Sequence, residues 1–268
     1  MKQNTTKFNV QDNVKDNAKD NVQDTVKNTA QSISALILAG GQSQRFNYSD
    51  KGLIPFLQKP MIEHVLERIA PQVTYVSISC NRHTEQYRSI IQNYYQVSHQ
   101  FNQKEPVQAS AAPPICISDK SNDPLQGPLA GVSAYLEHCQ SDTMFICSTD
   151  MPLIDRNIVQ QLFNAMHQFN ADACYPVDEN GHHYLAVLIK RSAAINALQQ
   201  LLASSATTSM KTTKKTKVYA IKNWLNQINS HQILIDSHAI GFADINNAAD
   251  MTLIEDKVEQ KINAKADL

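Results

Sequence analysis

The chain has 268 residues, 42% of them hydrophobic and 18% charged, with a formal net charge of −1. That is length enough to bury a sizeable core, as one large α/β domain or two small ones. The balanced charge gives no basic face for nucleic acid, and no apolar run reaches the length that crosses a membrane. The start, Met1-Lys2-Gln3-Asn4, lacks the apolar segment of a secretory signal, so a cytoplasmic protein is expected. The five cysteines, Cys80, Cys116, Cys139, Cys147 and Cys174, are scattered without a C-x-x-C pair. They read as buried small hydrophobes rather than as ligands or disulfides.

Residues 9–28 form a degenerate four-residue repeat of the type Asn-Val-Gln-Asp. One small apolar residue in four cannot build a core, and a period of four drifts around a 3.6-residue helix. Residues 1–31 are therefore expected to be a disordered low-complexity tail, with the folded domain over 32–268. The first strand follows at once. Ala35 to Ala39 is a continuous apolar run, as in a strand buried on both faces, and Gly40-Gly41 ends it. Open α/β sheets bind ligands at such carboxyl ends, where glycine lets a phosphate approach backbone N–H groups. Arg45 and Lys51, the latter in Asp50-Lys51-Gly52, add mobile positive charge for a polyphosphate. An ordinary strand-to-loop turn with two solvated cations is the plainer alternative.

Strand-like and helix-like segments alternate from Ile33 onward, the mark of a parallel sheet covered by helices. Ile62, Val65, Leu66 and Ile69 have helical spacing after Pro60. Val73 to Ser79 reads as the second strand, ending in Cys80-Asn81-Arg82-His83, and Ile115 to Ser118 as the third, closed by Asp119. The polar stretch Gln100 to Pro114 reads as an inserted loop. Gly127-Pro128-Leu129-Ala130-Gly131 opens a helix whose amino terminus suits an anion. Met144 to Ser148 is the fourth buried strand and leads into Thr149-Asp150-Met151-Pro152. Asp150 there has two readings: a crevice carboxylate that holds Mg²⁺ beside phosphates, or a helix cap before Pro152.

Asp172 to Val177 and Tyr184 to Ile189 read as strands around an Asn180-Gly181 turn. His182 and His183, adjacent on a strand, point to opposite faces, so at least one misses any shared ion. Ala203 to Lys217 reads as a flexible loop with a solvated lysine run. Phe242 to Asn247 reads as a last short strand, with Asn247 capping a helix from Ala248 to about Val258.

Taken together, Leu38-Ala39-Gly40-Gly41, Arg45, Asp50-Lys51-Gly52, Asn81-Arg82-His83, Gly127-Pro128-Leu129-Ala130-Gly131, Asp150-Met151-Pro152 and Ile245-Asn246-Asn247 with Asp250 resemble molybdenum cofactor guanylyltransferase. The resemblance implies one mostly parallel sheet with helices on both faces, a Rossmann-like nucleotidyltransferase fold. It also implies GTP as nucleotide, Mg²⁺ as metal, and molybdenum-loaded molybdopterin as acceptor. Products would be the guanine dinucleotide cofactor and pyrophosphate, with cofactor-biosynthesis and acceptor proteins as partners. Carried residue by residue, Leu38, Ala39, Gly40 and Gly41 would meet GTP, and Lys51 its phosphates. Asp119 would bind the nucleotide, and Asp150 both nucleotide and Mg²⁺. The family's asparagine near the second strand end falls on Ser79 or Asn81. Where the family often has Met-Gly-Gly after the Arg, this chain has Phe46-Asn47-Tyr48, and His183 is followed by Tyr184 rather than proline.

Such a transfer joins two anions, so it needs charge neutralisation and alignment rather than a covalent nucleophile. Lys51, Arg45, the Gly40-Gly41 amides and Mg²⁺ on Asp150 would supply that. Two other classes share parts of the pattern. A nucleotidyltransferase using CTP or a sugar phosphate has the same opening motif, and a non-catalytic nucleotide-binding regulator needs the glycine turn but not Asp150.

Overall fold

The computed structural model describes residues 33–39, 50–101, 116–119, 125, 127–207, 220–235 and 241–266. The tail of 1–31, the Gly40-Gly41 turn with Arg45, and 102–114 and 208–217 of the two inserted loops lie outside these described residues.

The apolar run after Ser32 forms β1 (Ile33–Leu38), and every residue in it is buried. It lies between β4 (Val76–Ser79) and β6 (Thr143–Ser148), parallel to both. β5 (Cys116–Ile117) extends the sheet beyond β4, again parallel. On the other side, β9 (Ala186–Lys190) runs antiparallel to both β6 and β7 (Ala173–Asp178). β10 (Ser230–Leu234) closes that edge parallel to β7, and the short β8 (Gly181–His182) folds back on β7. The order is β10-β7-β9-β6-β1-β4-β5. A two-residue hairpin of β2 (Pro55–Phe56) and β3 (Lys59–Pro60) stands apart. From β1 the chain first builds outward through β4 to β5 and then returns to the opposite side as β6. The β1/β6 boundary is therefore the switch point of the sheet, where open α/β folds bind ligands.

Alternation along the strands divides the core into two layers. Ala35, Ile37, Phe145 and Cys147 face α1 (Met61–Ile69), α2 (Thr84–Phe101) and α4 (Ile158–Gln168). Leu36, Leu38, Met144 and Ile146 face α3 (Pro128–Leu136), α5 (Arg191–Thr207) and α6 (Ile221–Leu225). On that second side Trp224 is fully buried and donates its indole N–H to the Ala194 carbonyl at 3.1 Å. Ser34, also buried, is satisfied by the Tyr135 hydroxyl at 2.6 Å, as a buried hydroxyl must be. Among the described residues the sheet is mostly parallel with helices on both faces, as expected.

Several boundaries differ from expectation. β4 starts at Val76, because a 3-10 turn at Ala70–Gln72 takes up the chain before it. β9 starts at Ala186, since Tyr184 and Leu185 belong to the turn that the Ala186 N–H closes on the His183 carbonyl. Ala203 to Thr207 continue α5 rather than opening a loop: Ala and Ser extend a helix already packed on the sheet. Phe242 to Asn247 is not a strand. Its one ladder-like bond is from the Ile245 N–H to the Asp150 carbonyl, while Phe242 and Ile245 are held by side-chain burial. The closing helix α7 (Ala248–Ala266) runs past Val258, and Asn247 does cap it, accepting from the Asp250 N–H at 3.0 Å. Ile245 and Ile254 pack with Phe56 and Met61 in a small separate cluster, which docks this segment beside the carboxyl end of the sheet.

Candidate active site

Parallel register brings the ends of four strands level. Leu38 is opposite Ser79 on one side and Ser148 on the other, and Ser79 is opposite Ile117. The ladder runs one residue further, with Ala39 N–H bonded to the Ser79 carbonyl at 2.8 Å and Thr149 N–H to the Leu38 carbonyl at 3.2 Å. Leu38, Ala39, Ser79, Asn81, Asp119 and Asp150 thus share one edge of the sheet. Gly40, Gly41 and Arg45 lie outside the described residues.

Lys51 reaches that edge from a short 3-10 turn, Lys51–Leu53. Its ammonium lies 3.1 Å from Asp150 Oδ2 and 2.9 Å from Asn246 Oδ1. The second oxygen of Asp150, Oδ1, is buried and has no hydrogen-bond partner among the described residues. Asp150 caps no helix, because α4 begins at Ile158 after Asn157. Asn246 is in turn fixed from behind: Asp250 Oδ2 accepts from the N–H groups of Asn246 and Asn247 at 2.8 and 3.2 Å.

Asp244 is the acid that sequence reading missed. The residue keeps substantial exposure, yet crowding by the surrounding protein, with the negative charge of Asp150 added, raises its carboxyl to about 6. Its Asp-Ile-Asn-Asn setting reads in sequence as strand and cap alone, and only the fold places it beside Asp150.

Asn81 and Asp119 form a second pair further along the edge. Asn81 Nδ2 donates to Asp119 Oδ2 at 2.7 Å, and Asp119 N–H donates to Asn81 Oδ1 at 2.8 Å. Asn81 is exposed and Asp119 half-buried, whereas Ser79 is buried. Ser79 lies under α3, where Gly131 packs so closely that a β-carbon there would collide with the Ser79 hydroxyl and lie 3.0 Å from Leu38 Cδ2. Glycine at 131 lets the first turn of α3 lie over the ends of β1 and β4. Gly127, at the cap, has a φ of 65°, a left-handed angle that glycine adopts without penalty.

The two histidines diverge, although only His182 lies in a strand, β8. His182 is exposed and stacks on Tyr184, with ring centroids 5.3 Å apart. His183 instead stacks on buried Phe242 at 4.8 Å and places Nε2 2.8 Å from Asp178 Oδ1, off the line of a well-formed hydrogen bond. Burial pushes the Asp178 carboxyl up, but His183 and the Asn180 amide outweigh it and hold it below the ordinary range.

Level strand ends at a switch point, with the Lys51 ammonium beside the Asp150 carboxylate, are a place for a polyphosphate. The model of the MobA-like NTP transferase domain matches residues 35–217, more than half of the chain. The chain belongs to the MobA-like NTP transferase family. It is a nucleotidyltransferase by that membership. A molybdenum cofactor guanylyltransferase of Pasteurella multocida is 28% identical over 222 residues, covering 82% of this chain and 97% of the relative. One of Vibrio campbellii is 33% identical over 150 residues, 56% of this chain and 63% of that relative's length. The crystal structure of molybdopterin-guanine dinucleotide biosynthesis protein A from Archaeoglobus fulgidus shares the fold. Its TM-score is 0.57 at 19% identity, over 85% of this chain and 99% of that one. This likeness supports the Rossmann-like nucleotidyltransferase fold.

Proposed function

We propose that this member of the MobA-like family transfers GMP from GTP to molybdenum-loaded molybdopterin, giving the guanine dinucleotide cofactor and pyrophosphate. The observation that carries the reading is the Lys51 ammonium beside an Asp150 carboxylate whose second oxygen is buried and has no partner among the described residues, at the switch point of the sheet. In the reaction, a terminal phosphate oxygen of the pterin bonds to the α-phosphorus of GTP. The bond from that phosphorus to the bridging oxygen breaks, and the electron pair leaves with pyrophosphate.

Lys51 would hold the phosphates and offset charge that gathers on the leaving group. Arg45 and the amides of Gly40 and Gly41, which follow β1 in the sequence, would add to this. Leu38 and Ala39 have buried side chains, so what they offer a nucleotide is backbone. At the second strand end the role falls to Asn81, held by Asp119, rather than to buried Ser79.

Asp150 Oδ1, buried and unpartnered among the described residues, fits a cation ligand. Among the described residues no three His, Cys, Asp or Glu side chains form a metal cage. Mg²⁺ suits such a site, because it takes one or two carboxylates and completes its shell with phosphates and water. When bound, it would neutralise phosphate charge and help align the leaving group.

Among the described residues no helix is long and apolar enough to cross a membrane. Cytoplasmic synthesis, with the product passed among cofactor-biosynthesis and acceptor proteins, completes the proposal. The test is product analysis after incubation with Mg²⁺, molybdenum-loaded molybdopterin and either GTP or CTP. Guanine dinucleotide and pyrophosphate are expected from GTP. Equal turnover of CTP would overturn the guanylyl assignment, and no product from either nucleotide would overturn the transfer itself.

A further inference from the structure

Lys51 is held at its head by Asp150 and Asn246, but its backbone is held by a different arm. Asp50 precedes it and caps the 3-10 turn: Asp50 Oδ1 accepts from the Gly52 N–H at 3.3 Å. The same oxygen accepts from the hydroxyl of Tyr87. Tyr87 comes from α2, is fully buried, and belongs to the core layer with Cys80 and Ile91. Its ring is anchored by apolar packing, so its hydroxyl is a fixed point rather than a mobile one. The hydroxyl also fills the space beside Gly52. A β-carbon at 52 would lie 2.5 Å from it and 3.1 Å from Thr149 Cγ2, the residue before Asp150. The turn is therefore wedged between Tyr87 on one side and the end of β6 on the other. Burial and the neighbouring Asp50 carboxylate push the Tyr87 hydroxyl far above its ordinary pKa, so it remains a donor at every working pH.

We propose that Tyr87 is a positioning residue for nucleotidyl transfer: by fixing Asp50 it sets the backbone from which Lys51 reaches the phosphates. It touches neither nucleotide nor acceptor and acts only through Lys51. This rests on the reading of Lys51 as the phosphate-facing cation.

The test is Tyr87→Phe, which keeps the ring and removes the hydroxyl, measured with Lys51→Ala and the double variant. Tyr87→Phe is expected to lower kcat/KM for GTP about tenfold, the scale of one misplaced transition-state contact. In the Lys51→Ala background the same change should cost nothing further, because the group it positions is gone. Ile91→Val, also under α2, controls for loosening of the core: it should lower the melting temperature by a similar or larger amount and leave kcat/KM near wild type. Wild-type kcat/KM in Tyr87→Phe, while Lys51→Ala is impaired, overturns the proposal. So does an equal loss from Tyr87→Phe with and without Lys51, which would mean a structural role. An unimpaired Lys51→Ala would instead sink the reading of Lys51 on which this rests.

Discussion

Asn246 accepts a hydrogen bond from the Lys51 ammonium at 2.9 Å, joining residues 195 apart in the sequence. The bond is exposed, so its loss in Asn246→Ala should cost the fold only about 0.5–1.5 kcal/mol. Lys51 would keep Asp150 but lose its second anchor. A several-fold rise in KM for GTP is expected with a small shift in melting temperature. Unchanged KM would show that Asp150 alone orients the ammonium.

Asp150→Asn keeps the size and one acceptor oxygen but removes the charge. Two effects on stability oppose each other: attraction to Lys51 is lost, and repulsion with Asp244 is relieved. The melting temperature should therefore stay near wild type. Transfer should fall about a hundredfold or more, since a charge that draws the cation supplies several kcal/mol of transition-state stabilisation. Raising Mg²⁺ should restore part of the rate. Wild-type turnover at limiting Mg²⁺ would remove Asp150 from the mechanism.

Gly131→Ala pushes a methyl group into the Ser79 hydroxyl and against Leu38. The hydroxyl and Leu38 can turn aside, but Ser79 Cβ, 3.1 Å from the added carbon, is fixed in the sheet, so the helix must move, at about 1–3 kcal/mol for overpacking a tight interface. Urea unfolding should show that loss, and nucleotide affinity should fall with it because the first turn of α3 lifts from the strand ends. A neutral Gly131→Ala would mean that α3 accommodates the methyl without strain.

The Asp244 carboxyl is raised to about 6 by crowding and by Asp150. An unfolded carboxyl titrates near 4, by roughly the free side-chain value. Between those values the folded chain holds the proton longer, so this group's contribution to stability falls as pH rises and levels off above the folded value. Asp244→Asn removes the effect. The variant should match wild type near pH 3, below both values, and be the more stable of the two at pH 7.5, by urea unfolding. The same difference at both pH values would refute the raised carboxyl.

The edge carrying Leu38, Ala39, Asn81, Asp119 and Asp150 was legible in the sequence because buried parallel strands are continuous apolar runs that stop abruptly. Lys51 was legible as charge close after such a stop. What could not be read depends on chain returning from afar. Asp244 and Asn246 come to the strand ends because Ile245 packs with Phe56 and Met61 and bonds the Asp150 carbonyl. Tyr87 looks like any core aromatic of a helix until Asp50 is placed against its hydroxyl. β10 was missed because Ser230-His231-Gln232 carries no apolar alternation; its place comes from main-chain pairing with β7. The helical continuation through Thr207 was missed because Ser and Thr there suggest a loop, while packing on the sheet sustains the helix.

The reach from Lys51 to Asn246 also sets an order of assembly during synthesis. A chain emerging from the ribosome can pair β1 with β4 and β6 once about two-thirds of the sequence has been made, since the tunnel still hides the latest residues. At that stage Lys51 has Asp150 but not Asn246, and Phe56 and Met61 lack Ile245 and Ile254. The cation is fully held only when α7 docks. A chain two-thirds made therefore presents the strand-end cleft without its last wall, and the Lys51–Asn246 bond waits until synthesis is nearly over.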